Sequence, residues 1–306
     1  MRRSTSWASR LAVLCIAGLL AAGCAGSPAG GPAPTVKADS PAHSQTPSAS
    51  PASDSPVSPF KSLLSLLGRR QGTITAAVYD RRTNRLWVYR PGVREYTASI
   101  VKVEILGTAL AQAQARNEPL PTAEAALAVP MIEASDNTSA TDLLADVGGA
   151  PAVLRFDDSA GLTSTSPSAL AVIPGTDWPG WGLTTTTARD QVMLVRRFAF
   201  PNPVLTDASR SYGLNLMEHV ADGQNWGVSA GVAPGATIAL KNGWIPYFPQ
   251  PLRYDSTGAL VNSIGWIHGH GRDYVIAVLT SNDPSEGYGI DTTELISRQI
   301  YDELGS

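Results

Sequence analysis

Ser99-Ile100-Val101-Lys102-Val103-Glu104-Ile105-Leu106 opens a helical segment, because Val103, Leu106 and Leu110 recur at the three- and four-residue spacing of one helix face. Ser99 and Lys102 are three residues apart, so both side chains share a face at the start of that helix. A serine hydroxyl is a poor nucleophile until a neighbour takes its proton, and a partly desolvated lysine is neutral enough to do so. The free backbone N–H at a helix start is suited to stabilise an oxyanion. Alone the pair is weak evidence, since a serine three residues before a lysine is common.

Working outward, residues 73–80 (TITAAVYD) and 86–89 (LWVY) read as two strands around the polar turn 81–85. Residues 122–220 mix helical stretches with a long loop rich in Thr, Ser, Pro, Gly and Trp. Three further strands are expected at 237–240, 261–267 and 274–280, the last carrying the unbroken run VIAVL of a buried central strand. Ile296, Ile300 and Leu304, at i+4 spacing, mark a closing helix. This order predicts an α/β (α+β) fold: one antiparallel sheet built from both chain ends, with flanking helices and an inserted helical subdomain.

The 306 residues leave room for a signal, a tether and one domain of enzyme size. Residues 1–23 read as a signal peptide, in which Arg2, Arg3 and Arg10 precede the apolar run 11–22, too short for a mature membrane span. Ala21-Ala22-Gly23 before Cys24 is similar to a bacterial lipobox, with Ala21 where Leu usually stands. That likeness implies lipid attachment at Cys24 and residence at the outer face of the cytoplasmic membrane; export by the Sec or the Tat route stays open. Residues 24–60 are Pro, Ala, Ser and Gly with few large apolar side chains, so they cannot offset their ordering entropy. They read as a tether reaching on the order of 30 Å, ahead of a folded domain at 61–306.

Cys15 lies in the signal, so the mature domain has no cysteine besides Cys24, which excludes disulfides and cysteine-based catalysis or metal binding. The formal charge of −3, with no Lys/Arg-rich block, argues against a nucleic-acid partner. A monomer without cofactor or metal is expected.

Two more motifs complete the pattern. Ser135-Asp136-Asn137 leads into a helix carrying Ala140, Leu143 and Leu144; by itself it is a helix N-cap. Lys241-Asn242-Gly243 ends the strand at 237–240, and by itself is an Asn-Gly turn. In this order the three resemble the S-x-x-K, S-D-N and K-T-G set of class A β-lactamases and penicillin-binding serine hydrolases. Lysine usage agrees. The chain has four lysines against nineteen arginines, and beyond Lys61 the only lysines are Lys102 and Lys241. A chain that otherwise uses Arg keeps Lys where a removable proton or compact charge is useful.

The resemblance covers nearly the whole domain. It is closest to β-lactamase-like serine hydrolase lipoproteins of high-GC bacteria, whose LKNGW and NSIGW blocks stand here at 240–244 and 262–266. It implies that Ser99 attacks a β-lactam or D-amino-acid amide carbonyl, with Lys102 as base. Ser135 passes the proton to the leaving nitrogen, with Lys241 lowering the cost of that transfer. Asn137 holds the substrate's amide, Lys241 and Asn242 face a carboxylate, and Gly243 keeps the strand edge open. The N–H groups of Ser99 and Trp244 form the oxyanion hole.

Three departures stand out. Asn242 replaces the usual Thr, the 36 residues from Ser99 to Ser135 are fewer than is typical of class A, and no E-x-x-L-N occurs between Ser135 and Thr187. That Glu activates the deacylating water in class A enzymes. The carboxylates available are Asp157, Asp158 and Asp177, the last either a substitute or a loop-capping Asp. Slow deacylation follows, and a catalytically weak cell-wall binding or sensing protein is the alternative.

Rival signals are weaker. Gly227-Val228-Ser229-Ala230-Gly231 matches the G-x-S-x-G elbow, but Val232-Ala233-Pro234-Gly235 follows where a helix is required. His268 and His270 share a strand face, yet Gly269 and Gly271-Arg272-Asp273 favour a hairpin turn over a metal site. The tryptophans are expected to pack in core or loops, and nothing selects those that line a cleft.

Overall fold

The computed structural model describes residues 58–247 and 258–305, all within one compact unit, Ser55–Ser306. The signal, Cys24 and nearly all of the tether lie outside the described residues.

The elements, in chain order, are α1 (Leu64–Leu67), β1 (Thr73–Asp80), β2 (Arg85–Tyr89), β3 (Glu95–Tyr96), a 3₁₀ turn (Ala98–Val101), α2 (Lys102–Ala115), α3 (Thr122–Glu133), α4 (Asn137–Asp146) and α5 (Gly149–Ala160). A second 3₁₀ turn (Gly180–Leu183) then precedes β4 (Thr185–Thr186), α6 (Ala188–Ala199), α7 (Asp207–Glu218), β5 (Thr237–Ile245), β6 (Ala259–Gly269), β7 (Arg272–Asp283) and α8 (Glu286–Glu303). The main sheet runs β2-β1-β7-β6-β5 with every neighbour antiparallel. This is the sheet expected from the two chain ends.

The alternation of side chains along β7 explains the two-sided core. Val275, Ala277 and Leu279 face the large helical layer with Val103, Leu106 and Val195. Ile276 and Val278 face the opposite layer, where Ile296 and Ile300 of α8 meet Phe60, Leu63 and Leu67. A strand buried on both faces has no need of polar alternation, which is why VIAVL reads as a continuous run.

Two local expectations change. The turn that Asn242-Gly243 suggests by itself does not form: β5 continues through both to Ile245, paired against β6 with Lys241 opposite Ile264, Asn242 opposite Ser263 and Gly243 opposite Asn262. Cross-strand pairing overrides the local turn preference of Asn-Gly. Asp157 and Asp158 lie on α5 rather than in the following loop. The hairpin at His270-Gly271 joins β6 to β7.

Candidate active site

The nucleophile candidate sits where the chain leaves β3 for α2. Ala98 takes a left-handed φ of 46°, a conformation that costs a non-glycine residue of order 1–3 kcal/mol and concentrates at functional sites. Ser99 follows in the 3₁₀ turn, half-buried, and Lys102 begins α2 fully buried. The other side comes from the α3–α4 junction. Pro130 C=O accepts from the N–H of both Ala134 and Asp136, and Ser135 bridges the turn with φ 57°. Asp136 then caps α4, its carboxylate accepting from Ser139 N–H at 2.7 Å.

Both buried lysines converge on Ser135. Lys102 Nζ donates to Ser135 Oγ at 3.1 Å, to Ser135 C=O at 2.6 Å and to Asn137 Oδ1 at 2.8 Å. Lys241 Nζ donates to Ser135 Oγ at 2.9 Å and to the Asn242 C=O at 2.9 Å. Burial pushes the Lys102 ammonium down to about 7, against the opposing pull of Asp136. Burial, then the charge of Lys102, pushes Lys241 well below the ordinary lysine range. The capping bond from Ser139 holds Asp136 below the usual carboxylate range, so it stays an anion beside Lys102.

The edge strand β5 closes the site. A methyl group on Gly243 would lie 2.7 Å from Ser99 N and 2.8 Å from Ile100 N. Glycine is therefore what lets the strand backbone lie directly on the nucleophile's turn. Ser99, Ser135 and Asn137 share one cavity with Trp244.

The remaining wall comes from the loop after α5: Ile173, Trp178, Pro179 and Trp181 line the cavity. Trp181 Nε1 donates to Thr141 Oγ1 on α4 at 3.1 Å, which ties the loop down. Its ring centre lies 5.0 Å from Lys102 Nζ. The sequence did not single out these tryptophans, because only the tertiary path of the loop selects them.

Six of the eight residues expected to act at the site meet in or beside this cavity, and Lys241 reaches it from beneath through Ser135. Asn242 departs. Its Nδ2 donates to the Gln224 and Trp226 carbonyls at 2.8 and 3.0 Å, and its Oδ1 accepts from Ser263 Oγ at 2.6 Å. A side chain so occupied holds the 224–226 segment against β5 and does not face a substrate. Asp157 departs as well: it is buried, and burial, then the Glu104, Asp158 and Asp190 charges, push its carboxyl up to about 10. Asp158 and Asp177 are exposed, and none of the three lines the cavity. Ser229 lies in a turn with no helix after it. Among the described residues no group of three or more His, Cys, Asp or Glu is placed to hold a metal ion.

Comparison with known proteins agrees with this fold. A class A β-lactamase from Mycobacterium abscessus superposes with a TM-score of 0.65 at 22% identity, over 81% of this chain and 100% of that one. A class A β-lactamase representative from Bacteroides cellulosilyticus DSM 14838 gives 0.68 at 18% identity, over 81% and 97%. The structure titled PBP-A gives 0.66 at 20% identity, over 80% and 94%. No curated protein sequence matches the chain. The family model described as "Beta-lactamase enzyme family" matches residues 122–304. That span is more than half of the chain and runs from α3, just ahead of Ser135, to the end of α8; the chain belongs to the beta-lactamase enzyme family.

Proposed function

We propose that this protein is a serine hydrolase acylated at Ser99 by β-lactams or D-amino-acid peptide amides, and slow to release the acyl group. The observation that carries this reading is the convergence of Lys102 Nζ and Lys241 Nζ on Ser135 Oγ, beside the pocket that holds Ser99. With burial lowering its pKa to about 7, Lys102 gives up its proton far more readily than an ordinary lysine and serves as the base for Ser99. Ser135 Oγ accepts from both lysines, so its own hydrogen remains for the leaving nitrogen. The N–H groups of Ser99 and Trp244, brought together by Gly243, are the oxyanion donors. Asn137 is exposed at the cavity and orients the substrate's amide.

Slow release rests on the loop after α5. It gives the cavity apolar side chains and no carboxylate, so among the described residues no acidic group lines the cavity to activate water against the acyl-enzyme. A second reading, a weakly catalytic cell-wall binding or sensing protein, draws on the same observation. Lipid attachment at Cys24 would hold either kind of protein, as a monomer, at the outer face of the cytoplasmic membrane. Incubation with a penicillin followed by intact-mass measurement tests the reading: a gain of one β-lactam per chain, lost in Ser99→Ala, supports it, and an unchanged mass contradicts it.

A further inference from the structure

Among the described residues, the walls of the cavity carry no charged side chain. Ile173, Trp178, Pro179 and Trp181 form one side, and Trp244 with Ile245 the other. The apolar surface continues outward. Tyr247 is 57% exposed and meets Trp178 edge-on, with ring centres 5.7 Å apart. Trp226 meets Trp244 in the same way at 5.9 Å. Leu170 and Val172, on the same loop, are about half exposed. Exposed apolar side chains that cluster at a cleft mark a surface meant to be covered by an apolar ligand.

Among the described residues, the groups nearest the cavity that could hold an anion are engaged within the protein. Asn242 is engaged by Gln224, Trp226 and Ser263. Its neighbours across the strand pair are Ser263 and Asn262, both neutral and buried. Lys241 is buried beneath the cavity and donates to Ser135 Oγ and to the Asn242 carbonyl. No arginine among the described residues lines the cavity.

We infer that the preferred acyl donor at this site is a neutral ester or activated amide of an apolar acid, and that it does not depend on a carboxylate. The inference rests on the acylation of Ser99 proposed above. Ser99 Oγ forms a bond to the acyl carbon and its proton passes to Lys102 Nζ. The bond from that carbon to the leaving oxygen of the ester, or nitrogen of the amide, breaks, the electron pair departs with that atom, and a proton reaches it through Ser135 Oγ. Water later cleaves the Ser99 ester, which releases the carboxylic acid and restores the hydroxyl. An apolar chain of several methylenes packs between Trp178 and Trp244, and each methylene buried in such a pocket contributes to discrimination.

The test uses the full chain, p-nitrophenyl acetate, butanoate and octanoate, and penicillin G beside its methyl ester. The p-nitrophenolate burst should be at least about tenfold faster for octanoate than for acetate and absent in Ser99→Ala. Trp178→Ala combined with Tyr247→Ala should slow the octanoate burst more than the acetate burst. The penicillin methyl ester should label Ser99 at least as fast as the free acid. Faster labelling by the free acid, with no chain-length preference, overturns the inference while leaving Ser99 acylation intact. No labelling by any of these compounds overturns both.

Discussion

Lys241 Nζ on the edge strand donates a 2.9 Å hydrogen bond to Ser135 Oγ at the α3–α4 junction, joining residues 106 apart in the chain. Lys102 reaches the same oxygen at 3.1 Å from the start of α2. Sheet, helix α2 and the helical middle thus meet at one hydroxyl, and neither lysine is placed to retain a full ammonium charge at little cost.

The two lysines should respond differently to a change that preserves charge. A guanidinium stays protonated at working pH and cannot take a proton from Ser99. Lys102→Arg should lower the acylation rate by about 10²–10⁴-fold, and Lys241→Arg by less. Equal losses in stopped-flow acylation assays would show that the roles are wrongly divided.

The acylation rate should follow the deprotonation of Lys102. The buried ammonium loses its proton near pH 7 instead of above 10. The deprotonated form is the active one, so the rate should rise with pH through about 7 and then level off. A pH profile that is flat from 6 to 8 would remove Lys102 from the role of base.

Gly243→Ala should injure the chemistry more than the fold. Its methyl group would meet the N–H of Ser99 and Ile100 and push β5 off the turn. Displacing an oxyanion donor costs about 10²–10³-fold in rate. Unchanged acylation by a folded Gly243→Ala variant would mean that β5 and the turn do not form the oxyanion hole.

Helix α2 is held from behind by close packing of Gly107 on the Phe156 ring, where a methyl group would overlap the ring. Gly107→Ala should destabilise by about 1–3 kcal/mol through overpacking, and Phe156→Leu should restore part of that loss in the double variant. Additive losses in thermal unfolding would show that the two positions are not coupled.

The sheet was legible because its signal is local and strong. VIAVL and TITAAVYD are apolar enough to be buried whatever surrounds them, and β1 and β7 pair as expected from the two chain ends. Ser99, Lys102, Ser135 and Lys241 were legible as spaced motifs, aided by the near absence of other lysines. Asn242 departs from the substrate contact that the resemblance implies, because its place depends on Ser263 and on the 224–226 carbonyls, which are distant in sequence. Trp178 and Trp181 stand among several tryptophans that the sequence does not rank, for the same reason, since a long loop with no periodicity does not reveal which side chains turn inward. Glu104 also escaped notice. It lies two residues past Lys102, fully buried, pushed up to about 8 by burial, and accepts from Gln191 Nε2 at 2.8 Å, pinning α2 to α6 beneath the site.

Attachment through Cys24 has a separate test, because it rests on the leader sequence alone. Cys24→Ala should move the protein from the membrane fraction to the medium, or leave the precursor uncleaved. Undiminished membrane association of a processed variant would contradict the anchor.

The order of fast and slow steps is the centre of the account, and a time-resolved intact-mass experiment with a penicillin in excess reads it directly. The predicted result is one β-lactam mass added to Ser99, an initial product burst equal to the enzyme concentration, and an adduct that persists because no carboxylate among the described residues lines the cavity to activate water. Rapid multiple turnover with no detectable adduct would contradict slow release, and neither adduct nor turnover in a folded protein would contradict Ser99 as a nucleophile.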